Sequence, residues 1–472
     1  ELLLDGDREQ ALGRTISTMF GACFLTSFTT AAGFASLMVA DTIVMQDFGF
    51  HAAIAVMTTF FGVIMVIPVW LSFLSIEKVG SPVSKSKWEE KCFSWLESLI
   101  WDYPRQIMGI FLFLMIGTGF YVRDMKANSN IMEMFHAEHP TRKAIEIVDS
   151  QLSGIVPIML SVEREEDSVL DVDLLRKMQI VEEEMEDYDF VLWKYSLASQ
   201  LEVIHYAFSE ERSLPTSSEM IAQELLMVEM TGELPLDRIL SEDQKLTRAL
   251  FLCRDVGGIG FLAMKKEMDQ KIAEVFGDQS NIRVELTGDG ILASTGINKL
   301  ILDLISSVFV VFIVIFGVLL LMLRKIPMAI IALIPNALPL LLTLATLKIL
   351  GSDLQVTNIV SFTVAIGLAV DDTIHFIARY QSERKAGKEH REAMQASFHG
   401  AGHAIILTSI LLVLGFGFLA TSSLSSTSFF GILTAVTLIG AIFADLFLLP
   451  AMMNWWEQRS EIKYSQITDK TE

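Results

Sequence analysis

Eight apolar runs, each long enough to cross the ~30 Å hydrocarbon core of a bilayer as a helix, constrain this chain more than any other feature. The composition agrees, because 52% of the 472 residues are hydrophobic and the mean hydropathy is +0.47. This is too apolar for an ordinary soluble protein, and we expect a polytopic α-helical membrane protein. The runs cover residues 15–40, 48–75, 105–122, 299–323, 327–350, 355–379, 402–421 and 428–453.

A polar stretch, residues 123–298, separates the third apolar run from the fourth. It contains 34 Asp and Glu against 17 Lys and Arg, and so carries −17 of the net charge of −21. Alternating and helical patterns predict a mixed α/β domain. We interpret the acidity as a solvated face, and without a basic stripe it argues against binding of nucleic acid. The predicted strands are 156–163, 189–196, 248–255 and 281–288, and the predicted helices are 172–187, 217–231 and 257–276.

Charge in the short loops predicts the orientation of the chain in the membrane. The segments expected on one side, including both termini, contain 17 Lys and Arg, whereas loops 41–47, 351–354 and 422–427 contain none. By the positive-inside rule both termini are cytoplasmic and the acidic domain lies on the far side. On the cytoplasmic side we expect an amphipathic helix lying on the membrane surface. Its lipid-facing residues would be Trp88, Phe93, Trp95, Leu96, Leu99 and Ile100.

The apolar runs also contain an internal repeat. A shift of 382 residues, without a gap, superimposes the LTS of 25–27 on the LTS of 407–409. Two glycine–phenylalanine pairs and Pro68 match in the same register, which chance matches of apolar residues explain poorly. Six membrane crossings separate the copies, so the repeats are predicted to be parallel, about an axis along the membrane normal.

We expect the following organisation, in which the chain is the later part of a longer protein whose N-terminal half is missing. Residues 1–75 are expected to form the last two transmembrane helices of a first membrane half, and residues 76–104 a cytoplasmic amphipathic linker. Residues 105–122 would form a transmembrane helix, followed by the extracytoplasmic domain at 123–298. The chain would end with a five-helix transmembrane region, residues 299–456, and a cytoplasmic tail, residues 457–472.

The stretch IGLAVDDTIHFIARY (366–380) places ionisable groups within an apolar run. A charged carboxylate at the bilayer centre costs roughly 2.5–3.5 kcal/mol, so Asp371 and Asp372 must face the bundle interior. Two neighbouring carboxylates resist double ionisation, which makes their protonation responsive to a proton gradient. His375 lies one turn further along the same side of the helix, Gly367 lets a neighbouring helix approach, and Thr408 could pass protons. The alternative is a buried polar group that only fixes helix packing.

The sequence resembles the resistance-nodulation-division (RND) superfamily over essentially its whole length. The resemblance rests on GLAVDDTIHFIARY, the following ERKAGKEHREAM, the LTS…GF helix and the LLPAMM ending. The most similar branch comprises hydrophobe exporters related to mycobacterial membrane protein large and to sterol-sensing-domain proteins. Multidrug-efflux members carry a lysine in this region of the tenth helix, so the aspartate pair favours the lipid-exporter branch.

The resemblance implies twelve helices, of which this chain would supply eight, and a ferredoxin-like α/β porter domain. It places Asp371 and Asp372 at the proton-carrying positions of the tenth helix, and His375 at a histidine common among hydrophobe exporters. No GxxxxGK[ST], HExxH, CxxC pair or GxSxG occurs, so nothing indicates an enzyme, a cofactor or a metal, and an ion gradient remains as the energy source.

These observations predict a proton-driven exporter of lipid-like or hydrophobic molecules in a bacterial inner membrane. The expected relay comprises Asp371, Asp372, His375 and Thr408. Expected partners are a hydrophobic substrate, membrane lipids and the N-terminal half, with further copies of the chain left open. One alternative is a sterol-sensing or Patched-like receptor that binds lipid without pumping it. Another is an accessory of protein translocation that uses the same proton cycle.

Overall fold

A computed structural model describes residues 8–73, 87–126, 128, 135–231, 235–277 and 281–468. The chain divides into two compact units. The bundle unit comprises residues 1–126, 300–422 and 426–472, and the sheet unit comprises residues 127–299 with 423–425.

Long apolar helices make up the bundle unit. Within the described residues, eight helical stretches are long and apolar enough to cross a membrane, which confirms the eight predicted spans. The helices are α1 (Arg8–Ala35), α2 (Ile43–Phe73), α3 (Lys87–Asp102), α4 (Pro104–Val122), and, after the sheet unit, α10 (Asp289–Leu323), α11 (Ile326–Leu333), α12 (Ala337–Ile349), α13 (Val356–Lys385), α14 (His390–Ser397), α15 (His403–Phe418), α16 (Ser425–Phe443) and α17 (Leu449–Thr468).

The corner between α1 and α2 repeats the corner between α15 and α16. A Cβ added to Gly49 would lie 2.6 Å from the carbonyl oxygen of Phe34, and one added to Gly431 would lie 2.5 Å from that of Phe416. Both pairs are separated by 382 residues. The ring of Phe34 also meets that of Phe48 at 6.0 Å, and the two rings at the equivalent positions, 416 and 430, meet at 5.9 Å. The predicted internal repeat is therefore confirmed at this corner, where only glycine lets the helices pack so closely.

Three of the six residues expected to face lipid on α3 pack on the protein instead, so the amphipathic-helix prediction is wrong for these three. Phe93, Leu96 and Ile100 are buried at 5%, 4% and 1% exposure in the core of the bundle unit. A Cβ on Gly402 would lie 3.1 Å from the Phe93 ring, so the contact is close. Trp95 remains 57% exposed, Leu99 is partly buried, and the side chain of Trp88 lies outside the described residues.

In its described part, the sheet unit contains an antiparallel four-stranded sheet in the order β2-β3-β1-β4. Helices connect the strands along the chain. The elements are α5 (Pro140–Gln151), β1 (Val156–Arg164), α6 (Val172–Glu186), β2 (Val191–Tyr195), α7 (Leu197–Ser209), α8 (Ser218–Thr231), β3 (Leu246–Cys253), α9 (Gly257–Phe276) and β4 (Ile282–Thr287).

The core of the sheet unit lies against one face of the sheet. Every second residue of β1 is buried, as in Ile158, Leu160 and Val162, because successive strand side chains point to opposite faces. The buried faces of α6 and α9 complete this core. All four predicted strands are confirmed with ends moved by at most two residues, and the three predicted helices by at most one. Helices α5 and α7 were not predicted.

Candidate functional site

Helix α13 carries the aspartate pair, and small residues bring α1 against it. A Cβ on Gly367 would lie 3.4 Å from the Cα of Thr30, and one on Gly33 would lie 3.7 Å from the carbonyl oxygen of Thr363. An added Cβ at either position would make ordinary van der Waals contact, so the two glycines mark where the helices meet. Gly367 therefore lies at a close contact with a neighbouring helix, as predicted, and this contact places the hydroxyl of Thr30 beside Asp371.

Consecutive residues of α13 reach different neighbouring helices. The Thr30 hydroxyl of α1 donates to Asp371, at 3.3 Å from Oδ1 and 3.4 Å from Oδ2. The Ser409 hydroxyl of α15 donates to Oδ2 of Asp372 at 3.0 Å. Because an α-helix turns by 100° per residue, adjacent side chains diverge in this way. Helices α1 and α15 belong to the two copies of the repeat, so the pair links one copy to the other.

A third carboxylate, Asp445, lies close to the pair. Thr373 of α13 donates its hydroxyl to Oδ1 of Asp445, and the amide of Asn336 lies 3.4 Å from that same hydroxyl. Asp445 is 1% exposed. Among the described residues, its Oδ2 is buried without a hydrogen-bond partner.

Sequence reasoning did not find this third carboxylate. The predicted relay does not include Asp445. Residues Ala444–Leu448 form a single π-helical turn, which changes the direction of the side chains, and such turns are frequent at functional sites. An ionisable residue within an apolar run was the feature of the sequence that could have identified Asp445 as a candidate site residue.

Two of the predicted relay residues lie apart from these hydrogen bonds. The hydroxyl of Thr408 is exposed and donates to its own helix, to the carbonyl oxygens of Ala404 at 2.9 Å and Ile405 at 3.0 Å. Its neighbour Ser409, in the same LTS motif, is the residue that reaches Asp372. His375 is partly buried on α13, and within the described part of the chain it forms no hydrogen bond.

The site consists of carboxylates and hydroxyls in an apolar bundle, a donor set suited to holding and moving protons. Among the described residues, no three His, Cys, Asp or Glu side chains come together as a metal site would require. A proton binds to a single carboxylate oxygen and needs no such convergence.

The sheet unit holds a separate buried carboxylate, Glu182 of α6, at 1% exposure. The Ser196 hydroxyl donates to its Oε2 at 2.8 Å, and the Lys194 ammonium lies 3.6 Å from it but 2.7 Å from Glu186. Burial raises the pKa of Glu182 to about 7, since desolvation outweighs the hydroxyl and the distant ammonium.

The fold and the site together define a polytopic membrane protein whose helical bundle contains one buried and two partly buried carboxylates. Residues 1–105 and 175–464 match the model of the MMPL family, and the chain belongs to this family. The predicted resemblance is thereby confirmed, and the protein is a multi-pass membrane protein.

Two further comparisons extend this result. A protein of Methanocaldococcus jannaschii that is named only as a membrane protein, MJ1562, is 23% identical over 370 residues, which are 74% of this chain and 90% of that protein. The cryo-EM structure of the hedgehog release protein Disp from the water bear Hypsibius dujardini superposes with a TM-score of 0.61 at 13% identity. That match covers 91% of this chain but 57% of Disp, and it shows a shared fold.

Proposed function

We propose that the protein is a proton-driven exporter of lipids or other hydrophobic molecules. The observation that carries this proposal is the set of three carboxylates, Asp371, Asp372 and Asp445, held inside an apolar bundle by hydroxyls from neighbouring helices. A carboxylate at membrane depth is costly and is retained mainly where it binds an ion or a substrate. Membership of the MMPL family supports a transporter and not an enzyme.

Protonation of the pair would change the contacts of α13 with both copies of the repeat. A hydrogen bond to a carboxylate is about twice as strong as one to a neutral group. Protonation of Asp371 would therefore weaken its bond with Thr30 on α1, and protonation of Asp372 would weaken its bond with Ser409 on α15. Alternating access in repeat transporters is a movement of one half against the other. Proton binding at α13 thus acts on the contact that such a movement must change.

Asp445 completes this scheme as a third proton-binding group. It accepts from Thr373, the residue that follows Asp372 on α13, and two carboxylates near one another disfavour simultaneous ionisation. Its hydrogen bond with Thr373 ties the π-helical turn to α13. A proton passing between Asp372 and Asp445 would change the relative strength of two hydrogen bonds of α13, one with α15 and one with the turn at Ala444–Leu448.

The sheet unit is proposed to be a ferredoxin-like porter domain that receives the substrate outside the cytoplasm. The strand order β2-β3-β1-β4 and the two strand-helix-strand units support this assignment. Disp is named for the release of hedgehog, and a fold shared with a release protein supports export as the direction of transport.

We further propose a bacterial inner membrane location with both ends of this chain in the cytoplasm. The loops rich in Lys and Arg support this orientation. A cysteine introduced at Asp167 should react with an impermeant maleimide outside spheroplasts, and one at Ser382 should not. The reverse labelling would contradict the orientation.

Transport is separated from a receptor function by measuring flux. The purified protein is reconstituted into liposomes that contain a fluorescent lipid, and a pH gradient is imposed across the membrane. An exporter should move the lipid faster with the gradient than without it, and a proton ionophore should remove the difference. A sterol-sensing receptor should bind the lipid with no gradient-dependent flux. Impaired general secretion in a strain lacking the protein, without a change in lipid export, would instead favour the translocase accessory.

A further inference from the structure

A cavity of about 590 Å³ lies where four membrane-spanning stretches end on one side of the bundle unit. The end of α10, the start of α11, the end of α13 and the middle of α17 line it. Gln381 of α13 donates to the carbonyl oxygen of Met322 at 2.7 Å, which fixes the end of α10 to α13. The cavity lies apart from the carboxylates of the proposed proton path.

The walls of this cavity are strongly basic. Arg324, Lys325, Arg384 and Lys385 line it, and the single acidic lining residue is Glu457. Glu457 lies 3.4 Å from Arg384. Within the described part of the chain, the other three cations form no ion pair. A lining of four positive charges and one negative charge calls for an anionic occupant.

Arg324 has an unusual backbone conformation at the cavity wall. It ends α10 with φ of 52°, in the left-handed region that glycine usually occupies after a helix. An arginine is unfavourable there on conformational grounds. Arg324 and Lys325 form the two-residue connection between α10 and α11, so both cations lie at the cavity wall.

The same cavity also has an apolar side. Leu321 is 76% exposed at its edge, and Met328 and Trp456 also line it. Tryptophan is enriched at the membrane interface, where its ring contacts both acyl chains and water. A free phosphate ion would use the cations and leave this apolar side without a partner.

We propose that this cavity is a binding site for the phosphate headgroup of an anionic phospholipid, with the acyl chains lying against Leu321. Basic pockets between transmembrane helices are suited to such headgroups. Each cation near an anionic lipid contributes about fivefold in affinity, so removal of three unpaired cations should weaken binding about 100-fold. The proposal is independent of what the protein transports.

Native mass spectrometry of the purified protein with defined lipids tests the site. Phosphatidylglycerol should bind more tightly than phosphatidylcholine with the same chains. The R324Q/K325Q/K385Q variant should lose about 100-fold of that affinity, whereas K91Q/R105Q/R391Q, which removes the same charge elsewhere, should stay within about threefold of wild type. The single variant K385Q changes one exposed helix end and should lose about fivefold.

Two results would overturn the proposal. Equal loss in the two triple variants, or equal affinity for the two lipids, would show that charge acts diffusely and that no defined site exists. Competition by glycerol 3-phosphate at concentrations comparable to those of the lipid would assign the cavity to a soluble phosphate compound. If R324Q/K325Q/K385Q is not monodisperse, unchanged binding by K385Q decides against the site.

Discussion

Replacement of Glu182 by glutamine removes a carboxylate from the core of the sheet unit. Because burial raises its pKa from 4.5 to about 7, the folded state binds a proton more tightly than the unfolded state. Glu182 therefore contributes stability that is fully present below about pH 4.5 and is lost as the pH rises through 7. Between pH 5 and pH 8 the loss is about 2.5 kcal/mol, or roughly 70-fold in an opening constant.

Hydrogen exchange with mass spectrometry measures this effect in the intact protein. Peptides from α6, β2 and α7 report local opening once exchange is corrected for its intrinsic pH dependence. The wild-type protein should open more readily at pH 8 than at pH 5. The E182Q variant keeps an acceptor for the Ser196 hydroxyl and cannot ionise, so its opening free energy should be nearly constant over this range.

The matched control is E183Q, which removes an exposed carboxylate from the same helix. It should show the same pH dependence as the wild type. A wild-type protein whose α6 peptides open equally at pH 5 and pH 8, or an E182Q variant that retains the full pH dependence, would refute the assignment of a buried titrating carboxyl to Glu182.

Two further substitutions test the site and the corner between α15 and α16. Ser409→Ala removes the hydrogen bond to Asp372 and should slow transport at least about tenfold, since a hydrogen bond to a charged group is worth about that factor. The control Thr408→Ala should transport at close to the wild-type rate. Equal effects of the two substitutions would contradict the assignment of Ser409 as the partner of Asp372. Gly431→Ala would force a Cβ to within 2.5 Å of a carbonyl oxygen and should lower stability by about 1–3 kcal/mol, measured as a fall in Tm in detergent. Gly415→Ala, whose added Cβ would meet open space, should not lower the Tm. Equal losses of Tm in the two variants would refute the close packing at the corner between α15 and α16.

Periodicity predicted the parts of the fold in which one face of an element is buried. The alternation of β1 predicted its extent to within one residue, and the structure buries every second residue of the strand, as Ile158, Leu160 and Val162 show. Uninterrupted apolar runs gave the spans, because length alone decides whether a helix can cross a bilayer. Gly367 was identified as a contact point since a missing side chain in a membrane helix permits close packing.

The rotation of the helices was not predictable in the same way. Thr408 and Ser409 are adjacent and both hydroxylated, and a difference of 100° around α15 decides which one meets Asp372. The inward position of Asp445 depends on a π-helical turn, and no local residue pattern predicts such a turn. The burial of Phe93 depends on a close approach to Gly402, and an amphipathic pattern cannot distinguish a protein surface from a lipid surface.

Substrate-linked proton movement is the most direct test of the proposed mechanism. The purified protein is reconstituted with a pH-sensitive dye in the liposome lumen, and proton flux is recorded when the lipid substrate is supplied. Asp371→Asn and Asp372→Asn should each abolish the flux while leaving insertion intact. Asp303→Asn serves as the control, because that carboxylate accepts from the backbone amide of Asp41 at 3.0 Å and lies outside the proposed path. Wild-type proton flux in both the Asp371 and the Asp372 variants would contradict the proposal.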